Sequence, residues 1–478
     1  MRPNGCQGAV GYRALSAGQA LALEPAIPKG SMLLPLLLAA AAVSPAPALS
    51  LTGEKNTLDN GLVVIVSQDK SVPGVAIDLW YRVGSRDEEA GRTGFAHLFE
   101  HLMFMGATHV PYPQFDTIME AAGGVNNAST SNDRTNYWSV GPSNLLPTFL
   151  WMEADRMATL DRAMTTDKLQ SQRLIVQNER RQSYENRPYG LAELAIEEQV
   201  YPAGHPYSWS PIGSHADLEA ATLGDVLKFF RTWYVPNNAV LAVVGDVEPQ
   251  KVFALARETL GFIPRKPLPQ QPRPAPYQLP AEKRVMLTDK VEAEKLLLSW
   301  PSPAAFTQAD AEADLLASLL GRGKASRLYQ RLVHQDQLAT DVRVFQNSLD
   351  LGSIFVIEAQ ARPGHTTAEL AKAVDDELQR LLDRGVTPAE LDSSRARLSS
   401  DFARRLEGLQ SRAELLAGYQ VHYGDPNALP RDLQRYQSAT PASTLAVAKA
   451  LFVPGRLRVE VTPEAKATQA APRPGGAQ

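Results

Sequence analysis

The amino-acid sequence predicts an α+β fold made of two pseudo-duplicated domains, each a mostly antiparallel sheet backed by helices. Three observations carry that expectation. Strand-like and helix-like segments come in blocks, not in βαβ alternation. Two stretches of the first half recur in the second at nearly one spacing. Between the halves lies IPRKPLPQQPRPAPYQLP, residues 263–280, with seven prolines. Such a run suits an extended linker and not a helix interior or a central strand.

Taken in chain order, the first segment stands apart from the fold. Residues 32–43, MLLPLLLAAAAV, form an apolar run too short to cross a bilayer. Lys29 precedes it, and Ala46-Pro47-Ala48 follows as a small-x-small cleavage site. This is the pattern of a secretory signal peptide cut near Ala48, with Met1 or Met32 as the translation start. Cleavage there removes Arg2, Arg13, Lys29 and Glu24, taking the formal net charge from -4 to -6. It also removes Cys6, the only cysteine, so a metal in the mature chain must be held by His, Asp or Glu. The charge balance gives no basic field for nucleic acid. No other segment is apolar enough for a stable membrane span, so a periplasmic or secreted protein is expected.

With residues 1–48 set aside, an N-terminal domain is expected over 49–262. GLVVIVSQD and GVAIDLWYRVGS read as strands. Helices are expected at about 94–105, 113–122, 144–160, 166–186 and 224–232. NNASTSNDRTNYW, residues 126–138, should follow a helix and form an exposed edge strand; an ordinary β-hairpin is the competing reading and the one the residues alone favour. The C-terminal domain is expected over 281–465, with 466–478 as a disordered tail. The duplication shows in two pairs. TTDKLQSQRLIVQNERR at Thr165 matches TPAELDSSRARLSSDFARR at Thr387, and WYVPNNAVLAVVGDV at 233 matches LFVPGRLRVEVTPE at 451. The spacings are 222 and 218 residues.

The chemistry concentrates in HLFEH. His97 and His101 are four residues apart, so on a helix they share one face and can chelate one cation. Glu100 lies beside them, able to reach a water at an open coordination position as general base. A helix that merely carries two histidines is the competing reading, and the motif is the inverted form of a known zinc signature. A third ligand is needed. Glu179 is a candidate, on an amphipathic helix whose Leu174, Ile175 and Val176 can pack on the core. Taken alone it reads better as a solvated helix-face carboxylate.

The chain resembles the pitrilysin and insulinase-like zinc peptidases, most closely the half-length bacterial members related to mitochondrial processing peptidase. The resemblance spans nearly all of residues 52–465. It rests on DNGLVVIV, GSRDE before GRTGFAHLFEHLMFMG, GGVNNASTSNDRTNY, VQNERRQSYENRPYG, HPYSWSPIG and YVPNNAVLAVVGD. It implies a zinc endopeptidase with one Zn²⁺ per chain on His97, His101 and Glu179, and Glu100 as base. It also implies that a peptide or unfolded polypeptide adds to the edge formed by Asn126, Asn127, Ala128, Ser129 and Thr130. Where members commonly carry a glutamate seven residues before the third ligand, this chain has Gln172, which keeps a hydrogen bond behind the site and loses a charge. Single-chain members hold substrate with an Arg and a Tyr. Val333 and Thr340 occupy those places in LVHQDQLAT. The resemblance therefore implies a heterodimer with a homologous subunit that supplies the Arg/Tyr pair. The alternatives are a non-catalytic structural or chaperone-like subunit and a self-sufficient homodimer with a private clamp drawn from Arg327, Tyr329 or Arg331.

Overall fold

The computed structural model describes residues 49–271 and 273–464. The expected signal peptide and C-terminal tail lie outside these residues. The first half contains β1 (Glu54–Thr57), β2 (Val63–Gln68), β3 (Gly74–Tyr81), α1 (Phe95–Leu102), α2 (Gln114–Ala121), β4 (Val125–Thr130) and β5 (Thr135–Pro142). It continues with α3 (Leu146–Ala163), α4 (Thr166–Arg180), α5 (Gly190–Gln199), α6 (His215–Ala220), α7 (Leu223–Trp233), β6 (Ala239–Gly245) and α8 (Pro249–Leu260). The second half contains β7 (Lys283–Asp289), β8 (Lys295–Ser302), α9 (Gln308–Gly321), β9 (Ala339–Asn347) and β10 (Ser353–Ala361). It ends with α10 (Thr367–Arg384), α11 (Pro388–Arg405), α12 (Leu409–Tyr423), α13 (Leu429–Ser438), α14 (Pro441–Leu451) and β11 (Leu457–Pro463).

The duplication is explicit in the strand order. The first sheet runs β1-β2-β6-β3-β5-β4 and the second β7-β11-β8-β10-β9. In each sheet the late strand pairs parallel with the first strand of the repeat, β6 with β2 and β11 with β7, and the remaining shared pairings are antiparallel. Among the described strands only β1 has no counterpart. The repeated threonines start matching helices. Thr165 caps α4 by accepting from Lys168 N, and Thr387 caps α11 by accepting from Glu390 N. A side-chain oxygen there satisfies an amide that the first helical turn leaves unpaired.

The core also shows what backs each sheet. β6, AVLAVVG, is buried at all seven positions, as expected for a strand covered on both faces. One face meets its own half, including α1, α3, α7 and α8. The other is covered by α12 of the second half, whose Ala413, Leu416 and Ala417 pack with Ile65, Trp80, Val240 and Val244. The exchange is mutual. Ala192, Ala195 and Ile196 of α5 pack with Leu297, Val356, Val459 and Val461 of the second sheet. α5 and α12 hold the same place in their repeats, so each half lends the same helix to the other.

All five expected helices of the first half are present, with ends shifted by a few residues; α5, α6 and α8 come in addition. Residues 126–138 are not one edge strand. β4 ends at Thr130, a tight turn follows, and β5 lies inside the sheet between β4 and β3. Residues 264–271 and 273–282 carry neither helix nor strand. That stretch is pinned to the first half where Gln271 Nε2 donates to Arg82 O (3.2 Å) and Asp87 Oδ1 (3.0 Å). Among the described residues no helix is long and apolar enough to cross a membrane.

Candidate metal centre

α1 is held at its start by a buried carboxylate. Glu88 accepts from Gly94 N (2.9 Å) and Ala96 N (2.8 Å), and Gly94 has φ 85°, a left-handed turn that glycine enters without a Cβ clash. Phe95, Leu98, Phe99 and Leu102 then face the core. That leaves His97, Glu100 and His101 on the flank that meets α4 and β4.

His97, His101 and Glu179 converge. Each offers one ligand atom, and those atoms all lie within 4.8 Å of one another, the one such group found among the described residues. Glu179 Oε2 is 3.3 Å from His101 Nε2 and 3.8 Å from His97 Nε2. A tetrahedral ion with bonds of about 2.0–2.1 Å spaces its ligand atoms roughly 3.3 Å apart, so the two imidazoles and one carboxylate fit zinc in kind and in spacing. Burial, reinforced by the neighbouring His101, lowers His97 to about 4. Its ring is then neutral near pH 7, the form that binds metal. At Glu179 burial pulls upward, but the hydrogen bond from His101, with the neighbouring His97, outweighs it and lowers the carboxylate below its ordinary value.

Glu100 does not join the ligand group. Its Oε2 accepts the Thr130 hydroxyl at 2.6 Å. Burial raises its pKa above its ordinary value, with that hydrogen bond opposing the rise. Thr130 is the last residue of β4, the terminal strand of the sheet. Asn126, Asn127, Ala128, Ser129 and Thr130 thus all lie on the open edge strand beside α1. The hairpin closes with Ser131 N donating to Arg134 O (2.8 Å), so the backbone of Ser129 and Asn127 faces β5. That of Asn126, Ala128 and Thr130 faces the open side.

Three expectations meet a different arrangement. Gln172 gives its amide to Met105 Sδ (2.8 Å), while His97 Nδ1 is buried with no hydrogen-bond partner. A neutral amide on a buried stretch of α4 turns to the polarisable neighbour it can reach. Of the apolar triplet on α4, only Val176 is buried; Leu174 and Ile175 are 50% and 43% exposed. They point outward because one helix cannot turn three consecutive residues to one side. In the second half, Val333 packs against the core and Thr340 sits on β9 with its hydroxyl on Gln360 O (3.3 Å). The private-clamp arginines are engaged. Arg327 holds both Glu390 oxygens (2.6 and 2.8 Å), and Arg331 pairs with Asp336.

Two homologous α+β units, with a group that could hold a metal found in the first of them alone among the described residues, define a class of peptidase fold. The chain belongs to the insulinase family, peptidase family M16. Residues 63–205 match that family, and residues 220–398 match the peptidase M16 inactive domain. It is 35% identical over 372 residues to the zinc protease PqqE of Helicobacter pylori, covering 77% of this chain and 83% of that one. The crystal structure of a protease from Helicobacter pylori superposes with a TM-score of 0.80 at 31% identity, over 87% of this chain and all of that one. The periplasmic protease PqqL of Escherichia coli has the same fold, with a TM-score of 0.70 at 19% identity over 87% of this chain. This chain covers 48% of PqqL.

Proposed function

We propose that this chain is the metal-bearing subunit of a zinc-dependent endopeptidase acting on peptides or unfolded polypeptides. The observation that carries the reading is the meeting of His97, His101 and Glu179 within ligand distance, with Glu100 beside them and an open sheet edge alongside. These three residues would hold one Zn²⁺ per chain. When bound, the ion supplies Lewis acidity, lowering the pKa of water and polarising a peptide carbonyl. Glu100 takes the proton of the attacking water on Oε1, the oxygen that Thr130 leaves free, and passes it to the leaving amine. The substrate backbone pairs with Asn126, Ala128 and Thr130. Until it does, Asn127 Oδ1 accepts the Ala128 N–H at 2.8 Å and blunts the edge.

The carbonyl oxygen also needs a donor from the protein. Val333 and Thr340 do not supply one in the expected places, and Arg327 and Arg331 are committed to acidic neighbours. A heterodimer with a homologous subunit that carries the Arg/Tyr pair meets this need. The exposed Leu174 and Ile175 beside Glu179 give such a subunit an apolar surface to cover. Export fits the reading, with the signal peptide ending near Ala48 and the mature protein in the periplasm, where PqqL acts by its name.

The test uses the mature chain, loaded with zinc, and a short unstructured peptide. Glu100→Gln should retain zinc and lose about 10²-fold or more in turnover, because an amide cannot accept the proton. Adding the partner should raise wild-type turnover by about 10²–10³-fold, the usual worth of an oxyanion donor. An active Glu100→Gln variant would reject the assigned base. Full turnover by the lone chain, unchanged by the partner, would favour the self-sufficient homodimer. No turnover in any combination would leave the non-catalytic subunit.

A further inference from the structure

We infer that the Thr130 side chain is a positioning residue for Glu100, so that the strand which receives the substrate also aims the base. The inference rests on the peptidase reading above. Two independent contacts carry it. The Thr130 hydroxyl donates to Glu100 Oε2 at 2.6 Å, which fixes the carboxylate plane and leaves Oε1 as the oxygen without a side-chain partner among the described residues. The position of Thr130 is itself fixed from the far side of the hairpin. Asp133, in the turn after β4, accepts from Arg86 Nη1 (2.8 Å) and from Asp350 N (3.0 Å), and Tyr207 OH donates to it. Arg86 also reaches Asp350 Oδ2 at 2.7 Å. Arg86 is 7% exposed and Asp350 belongs to the turn between β9 and β10, so the hairpin tip is tied to the second half by a buried ionic clamp.

Side chain and backbone of Thr130 thus serve different ends. Its backbone lies on the open edge and its hydroxyl points to α1. A glutamate on a helix has three side-chain torsions to settle, and a single strong hydrogen bond to the ionised form selects among them. A methyl group in place of the hydroxyl keeps the strand and its edge and frees the carboxylate to turn away from the attacking water.

The experiment compares Thr130→Val, Thr130→Ser and wild type as zinc-loaded heterodimers, with Glu100→Gln as a second background. Thr130→Val should lower kcat about 10- to 100-fold, the range expected for losing a hydrogen bond to a charged group, with KM within about twofold. Thr130→Ser should recover kcat to within about threefold. Zinc retained against a chelator should be the same in all three. In the Glu100→Gln background, where cleavage is slowed about 10²-fold or more, adding Thr130→Val should leave the Kd for the uncleaved peptide unchanged. Unaltered kcat in Thr130→Val would overturn the inference. So would a loss that appears in KM and in the Kd, or a loss that serine does not restore, since these mark a substrate contact or a structural role. If Thr130→Val fails to fold, Thr130→Ala against Thr130→Ser makes the same comparison. If wild type cleaves no peptide even with its partner, the peptidase reading fails first, and that result is distinct from an active wild type matched by Thr130→Val.

Discussion

The two halves place different chemistry at the same point of the same scaffold. In the first half the gap between α1 and α4 holds His97, His101 and Glu179. In the second, α9 and α11 take those roles. The 222-residue spacing that relates the capping Thr165 and Thr387 carries Glu179 onto Asp401. Asp401 does not face a histidine. It binds Arg322, just past the end of α9, through both terminal guanidinium nitrogens, the longer contact being 2.8 Å, and Arg404 on α11 reaches it as well. A guanidinium has donors and no lone pair, so it cannot ligate a metal, and it satisfies the carboxylate permanently. One repeat therefore keeps a carboxylate that neutral imidazoles leave available, and the other spends it on an ion pair. The scaffold brings two helices to bonding distance in both halves, and residue choice alone decides which half can hold an ion.

The largest effect should come from writing the second half's solution into the first. His101→Arg would set a guanidinium against Glu179, and zinc should fall from about one per chain to none after dialysis. The fold should persist, since His101 lies on the flank of α1 and not among its core residues. Zinc retained at wild-type stoichiometry would remove His101 from the ligand set.

Next in size is the coupling of the halves. Leu416 on α12 is fully buried against the first sheet. Leu416→Ala should cost about 2–5 kcal/mol and lower a single unfolding transition for the whole chain. Two separate transitions, one of them unmoved, would show that the exchange of α5 and α12 does not bind the halves into one unit.

A third contrast lies within the sheets. Asp78 on β3 stands opposite Ala242, and the matching position on β8, opposite Glu460, is Leu296. Burial pushes the Asp78 carboxyl up to about 8, against the pull of its hydrogen bond from Asn136. An unfolded aspartate ionises near 4. Between those values the unfolded chain binds fewer protons, so this group's stabilisation is present at low pH and is lost as pH rises toward 8. Asp78→Asn should remove a slope of roughly 1 kcal/mol per pH unit and gain most on wild type near pH 8. Urea midpoints from pH 5 to 9 measure it. Parallel curves for the two proteins would mean that Asp78 titrates as an exposed aspartate does.

These contrasts also mark where sequence reading stops. The HLFEH spacing and the two threonine caps are local patterns, and each marks a helix that is present, whereas 126–138 is expected as one edge strand and folds as a hairpin. The exchange of α5 and α12 is not local. GLAELAIEEQ is short, opens on glycine and carries apolar residues that do not say which sheet they cover, so no helix is expected there. Leu174 and Ile175 look like core because the triplet is apolar, but a helix turns two of its three members outward. The Thr130–Glu100 bond joins residues 30 apart through a strand register that only the folded hairpin fixes.

The smallest expected effect tests whether the second half's ion pair is more than a substitute for the metal site. Arg322 and Asp401 are 43% and 27% exposed. At that exposure solvent screens the attraction, and ordering two side chains offsets much of what remains, so the pair is worth about 0–1 kcal/mol. Arg322→Ala should shift the urea midpoint by no more than that. It should leave zinc stoichiometry untouched if His97, His101 and Glu179 hold the ion, because they belong to the other repeat. Arg322→His is the sharper variant. It gives Asp401 one imidazole, where the first half gives Glu179 two from adjacent turns of α1. One imidazole and one carboxylate fall short of the three protein ligands that catalytic zinc sites use, so zinc should stay at about one per chain. A second zinc in Arg322→His would mean that the second half needs only a single donor to recover a site.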